Sequence, residues 1–276
     1  MATRGLAAAL VVILAAGAAA AETVKEIRKT LPPDSAGRVS IDTGKGALRI
    51  ETWDRSEVEV HARIVPDSGL FDGSELVQAT EVRIEAAPAA LRIKSDSTRA
   101  RERGAGVPGF FFSSNSNPPE VHYRIRMPKR ARLRVKDYRP ESWLGPVAGG
   151  LEYGTYRGRV AVFGLEGPLI FRSDHGEAEF RLAALGARIR LETCRGNLRL
   201  TLPRGKGFRI ETDLGRHADL DSDFALPAAP RDRRRKDYRG AVNGGGIRLR
   251  RGTGTRIRPG ALVVRSGLGR GGSASR

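Results

Sequence analysis

Cysteine occurs once in the 276 residues, at Cys194, which excludes an intramolecular disulfide framework and any cysteine-clustered zinc or iron–sulfur site. Aromatic residues make up only 6% of the chain and Met occurs twice. No internal run approaches the roughly 18 apolar residues of a membrane helix, so no helical span is expected in the mature protein. Lysine is scarce: eight of the 49 basic residues are Lys and the rest Arg, against 31 acidic ones. Glycine is plentiful at 34, and the hydrophobic fraction of 39% is enough for one good-sized core or two small ones.

Residues 1–21, MATRGLAAALVVILAAGAAAA, combine Arg4, an apolar stretch from Leu6 to Ala16 and a small-residue exit through Ala19 and Ala21. That is the pattern of a removable secretory signal, too short for a comfortable membrane helix. Export to the periplasm or the cell surface is therefore expected. Residues 22–35 read as a linker, 36–264 as one all-β domain with an elaborated part to 135 and a repeat part from 136, and 265–276 as a disordered Gly, Ser and Arg tail. The net charge of +18 points in an exported protein to anionic envelope polysaccharide, lipid head groups or another surface protein as partner. No helical or RNP-type motif focuses the charge, so no specific nucleic-acid partner is expected.

Two-residue alternation runs through the chain, as in VEVHARI, VHYRIRM, RLRVK and RIRLET, and reads as β-structure throughout. Several segments superimpose on a glycine taken as position zero. Around Gly46, Gly158, Gly176, Gly196 and Gly215, position −7 holds Val39, Leu151, Leu169, Ile189 and Phe208. Position −5 holds Ile41, Tyr153, Phe171, Leu191 and Ile210, and position −3 holds Thr43, Thr155, Ser173, Thr193 and Thr212. Positions +2 and +4 continue as Leu48 and Ile50, Val160 and Val162, Ala178 and Phe180, Leu198 and Leu200, while the fifth unit slips by one residue. Pro140 takes the glycine place one unit before Gly158, and Ile247 and Leu249 lead to Gly254 in a degenerate unit.

A period of 18 to 20 residues belongs to stacked architectures, in which a unit too small to bury its own apolar face gains a core from its neighbours. The expected fold is an all-β, β-solenoid-like stack of repeats about 19 residues long, preceded by an antiparallel β region. The hydroxyl at −3 and the glycine at zero suit a corner, because Ser or Thr can hydrogen-bond the turning backbone and Gly accepts positive φ. Parallel in-register stacking would set Arg159 beside Glu177, Glu179 beside Arg199 and Arg172 beside Glu192. Exposed pairs of this kind are worth roughly 0–1 kcal/mol each, whereas each buried Leu, Ile or Phe contributes roughly 1.5–3 kcal/mol.

Outside the repeats, strands are expected near 57–65, 80–86, 90–95, 121–127 and 131–136. Residues 96–119 form a loop carrying Phe110, Phe111 and Phe112, which either caps an apolar end of the stack or makes a surface contact. A second loop, 225–240, contains Arg231, Arg233, Arg234, Arg235 and Lys236, a set able to grip anionic groups. Ser173, Asp174 and His175 are the residue types of a nucleophilic triad, but three adjacent turn residues do not converge with the base between nucleophile and acid. Cys194 occupies the same kind of corner. His61, His122 and His217 show no metal-ligand spacing, and Asp219, Asp221 and Asp223 lack the Gly and Glu of a calcium loop. No catalytic set, metal or cofactor is expected, and the chain reads as non-enzymatic. The alternative is a polysaccharide-acting β-solenoid lyase or hydrolase using Asp219 or Asp221.

The opening VSIDTGKGALRIETWDRSEVEVHARI, the central VHYRIRMPKRARLRVKDY and the closing VNGGGIRLRRGTG together resemble a bacterial family of exported putative adhesins. The likeness covers roughly residues 36–258, and its most distinctive element passes from a Gly turn through Trp53-Asp54 to alternating Val. The resemblance implies a β-solenoid-like exported protein at the cell envelope; the family offers no agreed catalytic residues to carry over.

Overall fold

In a computed structural model the described residues are 24–31, 37–67, 74–100, 118–185, 188–203, 205–211, 218–222, 239–243, 247–251 and 261–266. The leader 1–21, Phe110–Phe112, Arg231–Lys236, Gly215 and the tail beyond 266 lie outside them. The chain divides into two compact units, 1–131 and 132–276.

The first unit contains β1 (Lys25–Leu31), β2 (Arg38–Asp42), β3 (Lys45–Trp53), β4 (Val58–Val65), α1 (Ser74–Ala79), β5 (Glu81–Ala87), β6 (Ala90–Asp96) and β7 (Glu120–Pro128). Its strands run β1-β4-β7-β3 in one sheet and β2-β6-β5 in the other. The antiparallel expectation holds for β4 with β7 and β5 with β6, but the region is mixed: β2 pairs β6 in parallel, Val39 opposite Leu91, and β3 pairs β7 in parallel, Leu48 opposite Tyr123. The physical reason is that β6 and β7 together copy the strand–corner–strand unit around Gly46, with the long 97–119 insertion standing where the other units have a tight turn. A second correction concerns 22–35. Residues 25–31 are no linker but an edge strand, antiparallel to β4 from Lys25 opposite Ile64 to Leu31 opposite Val58. Its charged alternation, KEIRKTL, buries little beyond Leu31, which is why hydrophobic patterning alone passes over it.

The second unit holds β8 (Arg132–Asp137), β9 (Arg139–Leu144), β10 (Leu151–Thr155), β11 (Arg159–Leu165), β12 (Leu169–Ser173), β13 (Glu177–Leu182), β14 (Ile189–Thr193), β15 (Gly196–Thr201), β16 (Phe208–Glu211), β17 (Ala218–Ser222), β18 (Arg239–Val242), β19 (Ile247–Arg251) and β20 (Ala261–Ser266). Two parallel ladders form its centre. In one, β8, β10, β12 and β14 align Leu133, Leu151, Leu169 and Ile189, and then Val135, Tyr153, Phe171 and Leu191. In the other, β9, β11, β13 and β15 align Ser142, Val160, Ala178 and Leu198, and then Leu144, Val162, Phe180 and Leu200. All sixteen residues are buried, and the Phe171 and Phe180 rings meet edge to face at 5.0 Å between the two sheets. The core therefore lies between the ladders. The outward pairs Arg159–Glu177, Glu179–Arg199 and Arg172–Glu192 stand opposite one another as the alignment on glycine requires.

Pro140 does not break the series, since β9 holds its register with Glu141 opposite Arg159. Beyond β15 the order changes. β19 lies between β14 and β16, with Leu249 opposite Ile189 on one side and Ile210 on the other. β20 lies between β15 and β17 and is antiparallel to both. The degenerate unit around Ile247 and Leu249 thus enters ahead of the fifth glycine unit.

Candidate functional site

The corners joining the two ladders of the second unit are built by one local device. The hydroxyl at −3 donates to the carbonyl of the residue two places on: Thr155 to Arg157 (3.3 Å), Ser173 to His175 (2.8 Å) and Thr193 to Arg195 (3.1 Å). Gly158, Gly176 and Gly196 follow with φ of +146°, +125° and +121°. A methyl on any of them would strike a carbonyl oxygen of the corner before, that of Pro140, Gly158 and Gly176 respectively. The close approach lets backbone pairing continue around the bend: Arg157 N donates to Tyr138 O (3.0 Å), His175 N to Tyr156 O (2.8 Å) and Arg195 N to Asp174 O (2.9 Å). Each of these three corners is thereby hydrogen-bonded to the corner before it.

The two residues ahead of each zero position project from this edge. Register places Tyr138, Tyr156, Asp174 and Cys194 in one column and Arg139, Arg157, His175 and Arg195 in the next. Tyr138 and Tyr156 are 57% and 40% exposed and stack at 4.9 Å with 7° between ring planes. The His175 ring follows at 5.7 Å from Tyr156. His175 Nδ1 lies 2.8 Å from Asp174 Oδ2, and Arg195 Nη1 approaches its Nε2 at 3.3 Å. An imidazole carrying its proton on Nδ1 satisfies both contacts. The guanidinium of Arg157 lies over the Tyr156 ring at 5.9 Å.

The charge balance at the corners differs from that on the flat faces. There, Arg134, Arg159, Arg172 and Arg190 lie against Glu152, Glu177, Glu192 and Glu192, and Arg181 against Glu179. A shallow groove on one face is lined by Arg159, Glu177, Glu179 and Arg199, so both signs are present in it. At the corners Arg139, Arg157 and Arg195 have no carboxylate partner among the described residues. They form a short row of positive charge, with Asp174, held by His175, as the carboxylate of the neighbouring column.

Ser173, Asp174, His175 and Cys194 do come together here, but not as a nucleophile and its base. Ser173 spends its hydroxyl proton on the His175 main-chain carbonyl. The Cys194 thiol is raised above its ordinary range, first by its hydrogen bond to Asp174 and then by burial, which keeps the sulfur protonated.

A buried polar cluster lies behind the corners. Tyr153 donates to Asp137, and its oxygen is 2.7 Å from Ser142 Oγ. Asp137 Oδ1 makes no hydrogen bond of good geometry, the Thr155 hydroxyl beside it donating to Arg157 O. Burial pushes the Asp137 carboxyl up to about 7, against the opposing pull of Thr155 and Tyr153. In the first unit Ser95 links Thr43 (3.1 Å) to Tyr123 (2.6 Å), and burial raises the Tyr123 phenol. Lys45 bridges Asp67 (2.5 Å) and Glu120 (3.2 Å); burial opposes its charge, but the two carboxylates outweigh it and the ammonium is raised. Trp53 is flanked by Arg55 at 5.1 Å and Arg126 at 6.0 Å.

The basic loop Arg231–Lys236 and Phe110–Phe112 lie outside the described residues, while Asp219 and Asp221 fall on β17, opposite Arg265 and Val263 of β20. The corner arginines escape a motif search because the repeat spreads them 18 and 38 residues apart, His175 taking the place between the last two. The signal that finds them is the column at −1 in the glycine alignment. No helix among the described residues is long and apolar enough to cross a membrane. No protein-family model matches the chain, and no curated protein sequence matches it. A crystal structure of a putative cell adhesion protein from Clostridium sporogenes aligns with 85% of this chain and 97% of its own length, at 13% identity and a TM-score of 0.47.

Proposed function

We propose that this chain is a non-enzymatic binding module of the cell envelope or surface, exported through its first 21 residues and adhesin-like in role. It holds anionic material through a repetitive β surface. The parallel ladders are taken as successive turns of a β-solenoid-like coil, whose regular rise converts one exposed position per turn into a straight row. The observation that carries this reading is the column Arg139, Arg157 and Arg195, without carboxylate partners among the described residues and held in line by strand pairing and by the backbone bonds of Arg157 and Arg195 to the preceding corner. Cations on a hydrogen-bonded backbone need little rearrangement to bind, and none of the three has a carboxylate to surrender. The commitment of the Ser173 hydroxyl and the Cys194 thiol to neighbouring acceptors supports a structural role for the corner residues. The test is co-sedimentation of the purified protein with isolated cell envelopes across a salt series. Saturable binding that weakens with salt is expected; absence of saturable binding to envelope or host-cell surfaces would overturn the reading.

A further inference from the structure

We infer that the corner row of the second unit is a binding site for a single acidic glycan chain, the carboxylates of the sugar polymer facing Arg139, Arg157 and Arg195. The inference rests on the binding-module reading above and names its ligand. Neighbouring parallel strands stand about 4.8 Å apart, so the three arginines and His175 span about 14 Å in a line one residue wide. That footprint suits one thin polymer laid along the edge. Guanidinium groups pair with planar carboxylates through two parallel hydrogen bonds; none of the three has an ion-pair partner among the described residues, and Asp174 in the neighbouring column is held by His175.

The neighbouring column separates a glycan from other polyanions. Single-stranded nucleic acid is held by open aromatic faces on which bases stack. In this row the Tyr156 ring has Tyr138 stacked at 4.9 Å and His175 at 5.7 Å, so a base inserted there would have to break the stack. The phenol hydroxyls of the two tyrosines can hydrogen-bond sugar hydroxyls, and a base would have only the outer face of Tyr138 to stack on.

The experiment titrates the full chain with polygalacturonate, its fully methyl-esterified form, oligo-dT and vesicles of phosphatidylglycerol, at one fixed salt concentration. Three variants follow: the triple Arg139→Gln/Arg157→Gln/Arg195→Gln, Tyr156→Phe, and Arg159→Gln on the flat face as a control. Saturable binding of polygalacturonate is expected, at least tenfold tighter than binding of the ester, oligo-dT or vesicles. The triple variant should lose at least tenfold at unchanged melting temperature, Tyr156→Phe a few-fold, and Arg159→Gln less than twofold. Equal binding of oligo-dT or vesicles would overturn the glycan assignment. Full polygalacturonate binding by the folded triple variant would overturn the site while leaving the binding-module reading in place. Envelope binding without polygalacturonate binding would also sink the ligand assignment alone, and loss of envelope binding in every preparation would remove the reading beneath it.

Discussion

Asp137 makes the second unit sensitive to pH in a direction opposite to most surface carboxylates. Its folded pKa, about 7, lies above the ordinary aspartate value of 3.8. The folded state therefore keeps a proton that the unfolded chain releases, and the group's contribution to stability is greatest below about pH 4 and is lost as pH rises through about 7. A gap of roughly three units at 1.36 kcal/mol each is about 4 kcal/mol across that window. The structural cause is the buried site behind the corner, where Tyr153 satisfies one carboxyl oxygen and the other makes no hydrogen bond of good geometry. Asp137→Asn keeps the shape and cannot ionise. Urea unfolding followed through Trp143, which follows Ser142 on β9, should show the difference between the Asn variant and the native chain growing in the variant's favour by about 1.4 kcal/mol per pH unit between pH 4.5 and 7, then levelling off. Working with the difference cancels titration of all other groups. A difference independent of pH, or one growing as pH falls, would refute the reasoning.

Leu191→Asp removes a buried Leu and inserts a charge into the core, so it should cost more than about 5 kcal/mol and leave the chain unfolded by circular dichroism. Arg190→Asp, on the outward side of the same strand, should cost about 1 kcal/mol or less; equal melting temperatures for the two would contradict the inside–outside assignment. Gly176→Ala should lower the urea midpoint by the equivalent of about 2 kcal/mol or more, because the methyl falls on Gly158 O at a positive φ, whereas Gly44→Ala, with open space around it, should change stability by less than about 0.5 kcal/mol. At pH 7.5 Cys194 should react with iodoacetamide more slowly than a free thiol despite its exposure, and Asp174→Asn should speed the reaction; a native rate at or above that of a free thiol would show that the Asp174 hydrogen bond does not control the sulfur.

The sequence makes the parallel ladders legible because each unit repeats the same buried positions at the same distance from a glycine. Leu169, Ile189 and Phe208, for instance, are buried at 0%, 2% and 1% exposure. The glycine alignment also foretells the outward pairs, since parallel register leaves a residue no choice of neighbour. It fails where a strand carries little apolar load or where order departs from succession. β1 is nearly all charge and Thr, and its place is set by backbone pairing to β4. β6 and β7 hide their common unit behind a long insertion. The entry of β19 between β14 and β16 depends on a crossover that local pattern does not encode. At the candidate site the corner residues can be aligned from sequence alone, but the neutralisation of the flat-face arginines, which gives the corner row its meaning, is a matter of side-chain reach.

The antiparallel strand β20 has a consequence for assembly. A parallel, in-register ladder is the arrangement from which cross-β fibrils grow, because the last strand of one molecule offers the same template as the strand before it. Between β15 and β17 the direction reverses, so a second molecule meets no continuing template along that sheet. Proteolytic removal of residues from 239 onward would strip away β18, β19 and β20 together and uncover β14 and β15 as open, same-direction edges. Self-association of truncated chains through these uncovered edges is the expected outcome.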